Sequence, residues 1–558
     1  MPDSLSDIYI RRTPVPQSQR ADPRQVRNSA GGYTFKTAEV TALRRFLTMG
    51  TEGGSFNATA PELSRANAAR VIRMAEHSDY RLIEEIEDIS IGGRAPRVNP
   101  AIFSLAVAAS LGDTHYRQAA FDRLPLVCRT GSHLLTFAGY IEQFRGWGPA
   151  LTKAVGKWYT DKTADEVAYQ ALKYKDREGW TQRDLIKLSH FGRTPIPHTH
   201  RLLFEYILKG SRASMWLKGD MPQLLHAYQA VWAPGISNSQ IARLIGDYNG
   251  TPGTSKLTHE MLPSEALASP EVWEALIHTG IPLGTLVKRL GQISRLGLLS
   301  PMSATTRTVC DRLTDPEGLA KARIHPVNQL VALRTYASGH GARSQDSWPV
   351  SQRVCDALDE SFYLAYGAVP VTGLRRNVAV DISGSMQHPA GGLPVSCREL
   401  ASAAALVTAA TEPQPMITAF THGAYPSRWT RINGMNSGIS EYPISSRMRL
   451  DDVMRVALGM QMGGTNCAVP MQEALKHRIP VDVFEIHTDN ETWYGDIHPH
   501  QALEDYRQGM GIDARLAVVA YTPTDFTIAD PADWRTLDVS GFDQAVPQLL
   551  ADFASGAL

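Results

Sequence analysis

Over most of the chain, apolar positions recur at helical spacing. Val40, Leu43 and Leu47 share one face, as do Leu134, Phe137, Ala138 and Ile141, and later Leu202, Leu203, Tyr206 and Ile207. Glycines punctuate these stretches, at Gly92-Gly93, Gly112, Gly131, Gly179, Gly210, Gly250, Gly280 and Gly297. Strand-like alternation is nearly absent before residue 365. Helix after helix joined by short turns predicts a solenoid of helical pairs, and the lack of a strict period fits degenerate helical repeats.

The pattern changes near residue 370. Asn377 to Asp381 is a β-branched run ending in a Ser/Gly turn, and Met416–Phe420, Val483–His487 and Leu516–Tyr521 repeat the strand signal. Helical stretches at Ser396–Ala410, Asn466–His477 and Gln501–Gln508 fall between them. Strands alternating with helices predict a doubly wound parallel sheet, which binds ligands beyond the carboxyl ends of its strands. Ahead of both parts, residues 1–30 hold Pro14, Pro16 and Pro23 among Arg11, Arg12, Arg20, Arg24 and Arg27 and few large apolar side chains, so they predict a flexible basic arm. The expected domains are therefore 1–30, 31–368 and 369–558.

Composition bounds the function. The 558 residues carry 56 basic and 56 acidic side chains, a zero net charge that argues against a nucleic-acid binder. The sum conceals a split: from residue 371 onward there are 13 basic and 21 acidic residues, a net of −8, and the remainder is +8. Such asymmetry predicts a separate partner for each part. The longest apolar run, Leu400 to Ala410, is 11 residues against the roughly 18 that a membrane span needs. No secretory pattern opens the chain, and five scattered cysteines (Cys128, Cys310, Cys355, Cys397, Cys467) form no Cys-x-x-Cys. The expectation is a soluble cytoplasmic protein without disulfides, membrane segment or structural zinc.

Three loops gather at the strand ends: Asp381-Ile382-Ser383-Gly384-Ser385, Gly463-Gly464-Thr465-Asn466, and Thr488-Asp489-Asn490-Glu491. Two carboxylates among hydroxyls make a hard-oxygen set suited to Mg²⁺ or Mn²⁺, with a position left open for a partner's acidic group. The bland alternative is that Ser383 and Ser385 cap the next element and the acids are solvated loop residues. A phosphoryl-aspartate hydrolase would need a second Asp where Ser383 stands.

In the helical part, the stretch Lys173 to His190 puts Lys173 and Arg177 four residues apart, which predicts a shared helical face. Gly179 then reads as a helix C-cap, and Thr181 with Asp184 as a capping box. Cations at two helix ends could contact phosphate, or could only complement helix dipoles.

The Asp-x-Ser-x-Ser spacing with a distant Thr and Asp resembles the metal-ion-dependent adhesion site (MIDAS) of von Willebrand factor A domains. That resemblance makes Asp381, Ser383, Ser385, Thr465 and Asp489 the metal shell. Lys173 to His190, Arg129-Thr130-Gly131-Ser132-His133, Leu43 to Leu47 running on to Gly53-Gly54, and His325-Pro326 through Tyr336 resemble the TROVE module of the Ro autoantigen family. With Thr488 to Thr492, the likeness spans nearly everything after residue 30. It implies a ring of HEAT-like helical repeats shut by an α/β von Willebrand factor A domain with a Rossmann-like doubly wound sheet. It also implies a monomeric ribonucleoprotein, with small noncoding Y RNAs on its outer surface and single-stranded 3′ ends of misfolded RNAs in a basic central hole. Noncoding RNA quality control, with an RNA-processing nuclease as partner, is the implied setting. Carried over by position, Lys173, Arg177 and His190 belong to the outer RNA surface, and Arg129 and His133 fall in a second motif where helix packing is an equal alternative.

These features predict a non-enzymatic RNA-binding scaffold. The alternative is a metal-dependent adaptor working with a chaperone-like ATPase, and a third possibility is a hydrolase using Asp381 and Asp489. His198-x-His200 and His498-x-His500 lack cysteine or acidic partners for a transition metal and read as surface residues. No phosphate-binding P-loop, His-Glu-x-x-His or Gly-x-Ser-x-Gly motif occurs.

Overall fold

In a computed structural model, residues 13–51, 60–191, 196–210, 221–341, 345–367, 369–413, 415–421, 438–459 and 463–557 are described. Gly53-Gly54, Arg11 and Arg12 lie outside them. Two units emerge: 67–367, and 1–66 together with 368–558. The division between these units falls at 66/67 and 367/368, against expected boundaries at 30 and 368.

Of the residues expected to form a flexible arm, 13–30 are instead part of the α/β unit. Strands β1 (Gln25–Arg27) and β2 (Tyr33–Lys36) pair antiparallel. The helix Glu39–Met49 follows and buries Leu43, Phe46 and Leu47. Gln17, Gln25 and Asn28 are buried and hydrogen-bonded, which supplies the order that the segment's lack of large apolar groups seemed to deny. Regrouping residues 1–66 also redistributes charge. The helical unit carries 34 basic and 29 acidic residues and the α/β unit 22 and 27, so the split is +5 against −5.

In the helical unit each helix buries one apolar face against its neighbours. Gly131–Phe144 buries Leu134, Phe137, Ala138 and Ile141, and Leu283–Arg295 buries Leu283, Leu286, Leu290 and Ile293. Side-chain caps fix several helix starts, with full capping boxes at Thr163/Glu166, Thr181/Asp184 and Ser237/Gln240. The unit closes on itself through its own residues. Arg323 Nη1 and Arg129 Nη1 both donate to the Ser90 carbonyl, at 3.1 and 2.9 Å. Asn328 Nδ2 donates to Pro96 O at 3.2 Å, and the His325 ring lies 3.0 Å from Arg94 O. The sequence stretch expected to be all helix contains a hairpin, β3 (Asp176–Arg177) with β4 (Trp180–Thr181).

The α/β unit is built on a six-stranded sheet. Its strands are β5 (Arg376–Asp381), β6 (Met416–Phe420), β7 (Ile439–Glu441), β8 (Val483–Thr488), β9 (Arg515–Ala520) and β11 (Thr536–Ser540). The order is β11-β9-β8-β5-β6-β7, parallel except for β7. From β5 the chain runs outward to β6 and β7, then returns to place β8 on the other side of β5. The switch point thus lies between β5 and β8, above their carboxyl ends. Strand β10 (Phe526–Thr527) joins β2 in a small sheet. Arg45 locks this arrangement: fully buried, it donates to Thr524 O and Phe526 O at 2.8 Å each and pairs with Asp538.

Removing Arg45 strips a half-buried carboxylate and two carbonyls of their donor. Arg45→Ala is expected to destabilise the α/β unit by about 3–5 kcal/mol. Arg24→Ala, which breaks a solvent-exposed pair with Asp530, should cost less than about 1 kcal/mol. Urea melts followed by circular dichroism distinguish the two.

Candidate functional site

Asp381 ends β5 and Asp489 follows β8, so the switch point brings the two carboxylates together. Both are at most 1% exposed. Asp381 Oδ1 accepts from the Ser383 amide at 2.8 Å, and its Oδ2 accepts from the Thr488 hydroxyl at 2.7 Å. Ser383 Oγ and Ser385 Oγ lie 3.0 Å apart, and Ser385 hydrogen-bonds Asp489. Asp489 Oδ1 accepts from the Glu491 amide at 3.0 Å, across a left-handed Asn490 (φ 64°). The Thr465 loop is held alongside: Gly463 O accepts from the Gly384 amide at 3.0 Å, and Gly464 O from the Thr421 hydroxyl at 2.8 Å. Thr465 itself is buried.

Burial, followed by the charge of Asp489, pushes the Asp381 carboxyl up to about 7. Burial likewise raises Asp489. The two buried carboxylates repel each other and are ringed by neutral hydroxyls, while the buried Arg398, which donates to Ser383 O at 3.5 Å, brings a positive charge to the Asp381 side. The donor set is hard oxygen throughout and fits Mg²⁺ or Mn²⁺ rather than a thiophilic metal. Cys397 and Cys467 sit close by, but burial pushes both thiols well up, which keeps them protonated. Among the described residues there is no cluster of three or more His, Cys, Asp or Glu side chains suited to a metal. His200 and His498 are buried, not on the surface: they lie 2.8 Å from Lys162 O and Gln19 O.

The helical unit separates the five expected RNA-contact residues into two kinds. Arg177 is 56% exposed, but on β3 rather than on a helix with Lys173. Glu178 (φ 50°) and Gly179 (φ 79°) form the two-residue left-handed loop of a hairpin, so Gly179 is a turn residue and not a helix cap. His190 is exposed just past the helix Gln182–Leu188. Lys173, in contrast, has only 6% of its side chain exposed. Its Nζ donates to Tyr169 Oη at 3.0 Å, sits over the Tyr169 and Tyr174 rings, and lies 3.9 Å from Glu260. Burial alone would raise Glu260, but the His259 hydrogen bond and the Lys173 charge hold it down at about 2. Arg129 is engaged at the Ser90 carbonyl. Burial holds the His133 imidazole down to about 4, so it is uncharged at neutral pH.

Two features were not singled out from sequence. Lys175, exposed beside the hairpin, lies over the Tyr228 and Trp232 rings at 5.6 Å each. In the same unit a cavity of about 880 Å³ is lined by Arg97, Lys288, Arg289, Arg295, Tyr336 and Trp348, among others. Gly291 lets the Trp348 ring approach, since a Cβ there would lie 2.7 Å from it. These residues come from segments nearly 200 positions apart in the chain, and no local motif marks them. No described helix is long and apolar enough to cross a membrane.

Comparison with known proteins covers both units. Residues 375–554 match the family model of the Ro60 vWA domain, and residues 26–219 and 254–336 match that of the TROVE domain. A Deinococcus radiodurans protein named RNA-binding protein RO60 is 36% identical over 97% of each chain. A Caenorhabditis elegans protein of the same name is 30% identical over 100% of this chain and 94% of its own. The crystal structure of the Deinococcus radiodurans RO (RSR) protein superposes with a TM-score of 0.66 at 32% identity, covering 93% of this chain and all of that one. The chain belongs to the Ro family, a TROVE helical domain joined to a Ro60-type von Willebrand factor A domain.

Proposed function

We propose that this protein is an RNA-binding scaffold, not a catalyst, and that its two units take different ligands. Two relatives that match nearly end to end are named RNA-binding proteins, and this observation carries the proposal. Structured small noncoding RNA of the Y type would dock on the outer face of the helical unit. Arg177 and His190 suit that role because both are exposed, and Lys175 adds a cation set against aromatic rings. Lys173 would act mainly by holding the base of the hairpin, since its ammonium is engaged by Tyr169 and faces Glu260. Single-stranded ends of misfolded RNA would enter the cavity bearing Lys288, Arg289 and Trp348, where cations meet phosphate and an indole can stack on a base. Noncoding RNA quality control in the cytoplasm, with an RNA-processing nuclease as partner, is the setting we infer.

In the α/β unit we propose a divalent cation, Mg²⁺ or Mn²⁺, held by Asp381, Ser383, Ser385, Thr465 and Asp489. When bound, it would supply an electrophilic open position for an acidic group of a protein partner. The mutual repulsion of Asp381 and Asp489 in a buried site supports this reading.

Arg177→Ala with His190→Ala is expected to weaken binding of structured RNA and to lower the slope of log affinity against log salt by about 1 for each phosphate no longer neutralised. Fluorescence anisotropy at several salt concentrations measures both. Full affinity in the Arg177→Ala/His190→Ala protein contradicts the outer-surface assignment.

Lys288→Ala with Arg289→Ala should weaken binding of a single-stranded oligonucleotide while leaving structured RNA nearly unaffected. Equal loss for both ligands removes the distinction between the two sites.

In chelator, the stability that protonated Asp381 contributes is present below the unfolded carboxylate range and is lost as pH rises through about 7. Asp381→Asn cannot ionise, so it should gain stability over the wild type between about pH 5 and pH 8. Added Mg²⁺ should then raise the melting temperature of the wild type only. An equal Mg²⁺ response in both proteins contradicts the site.

A further inference from the structure

Gln17 is 0% exposed, and its polar groups are spent on the loops that carry the metal residues. Its Nε2 donates to Asn466 Oδ1 and to Ile497 O, both at 2.8 Å. Its Oε1 accepts from the Thr492 hydroxyl, and its backbone amide donates to Gly495 O at 2.9 Å. Eleven positions on, Asn28 Nδ2 donates to Thr492 O at 2.7 Å and its Oδ1 accepts from the Gly32 amide at 2.9 Å. Gly32 itself lies against this loop so closely that a Cβ there would sit 2.1 Å from Thr492 O.

Thr492 is the junction of the network. Its hydroxyl accepts from the Cys467 amide at 3.2 Å and lies 3.3 Å from the Thr465 carbonyl. That carbonyl also accepts from the Trp493 and Tyr494 amides, at 3.3 and 3.1 Å. The Thr465 loop and the loop after Asp489 are thus bound to each other, and the N-terminal segment spans both. Gln17, Asn28 and Gly32 carry no charge, so their effect on a cation is geometric.

We propose that residues 15–33 form a strap that sets the spacing between the Thr465 and Asp489 loops, with Gln17 a positioning residue for the divalent cation. This rests on the metal site proposed above. The strap spends its ordering energy in folding, so the two loops meet the ion already placed. Outer-shell partners of this kind are worth roughly 10–100-fold in metal affinity.

Mn²⁺ titration of the full-length protein, followed by the free-ion electron paramagnetic resonance signal, tests the proposal together with thermal melts in chelator. Gln17→Ala should weaken Mn²⁺ binding by roughly 10–100-fold. Gly32→Ala, which pushes the strap off Thr492 without touching Gln17, should weaken it in the same direction. Arg24→Ala loosens the strap at Asp530, away from the metal loops, and should leave Mn²⁺ affinity unchanged. If Gln17→Ala and Gly32→Ala melt lower yet bind Mn²⁺ like the wild type, the strap is only structural and the proposal is overturned. If the wild type and Asp381→Ala bind Mn²⁺ equally, the metal site itself is wrong and the strap's role falls with it.

Discussion

The mutual repulsion of Asp381 and Asp489 is the constraint around which the α/β unit is organised. Adjacent parallel strands deliver both carboxylates to one buried place, and two negative charges there are costly even with the buried Arg398 beside the Asp381 loop. Local donors reduce the cost without cancelling it: the Ser383 amide and Thr488 hydroxyl serve Asp381, and Ser385 and the Glu491 amide serve Asp489. The hydroxyls that solvate the pair are the same groups that can face a hard cation. Stability is given up at this point to keep a charge-hungry site, and Arg45, the N-terminal strap and the parallel core hold the surrounding loops against it.

The helical unit follows a different electrostatic logic. Its excess of five positive charges is modest, so binding of phosphate depends on where cations are presented rather than on how many there are. The β3–β4 hairpin does the presenting: its left-handed loop turns Arg177 outward, and the Trp180 ring stacks on Trp147 at 5.4 Å to fix the base. Lys173 is the contrast. Its charge is already answered by two tyrosine rings and Glu260, so it supports the surface rather than forming it.

Much of the sheet and of the loop cluster around Asp381 and Asp489 was legible in the sequence, because the core strands are short apolar runs containing β-branched residues and both carboxylates sit beside strand ends, while Thr465 precedes the helix Val469–Lys476. Val483–Thr488 and Met416–Phe420 appear nearly where the pattern put them. The N-terminal strap was not legible. Gln17 is polar, and its burial depends on Thr492, 475 positions away, which no local pattern encodes. The hairpin was missed for a different reason. A four-residue spacing between Lys173 and Arg177 fits a helix as well as it fits a helix followed by a two-residue strand, and only the positive φ values at Glu178 and Gly179 distinguish them. The RNA-contact positions came from family resemblance. Burial then divided them, leaving Arg177 and His190 exposed and Arg129 tied to a carbonyl.

The most direct test of this account is anomalous diffraction from crystals of the full-length protein grown with Mn²⁺. One anomalous peak is expected, between the Asp381 and Asp489 carboxylates and within coordinating reach of Ser383 and Ser385. A site with no peak at saturating Mn²⁺, or a peak held by other residues, would contradict it.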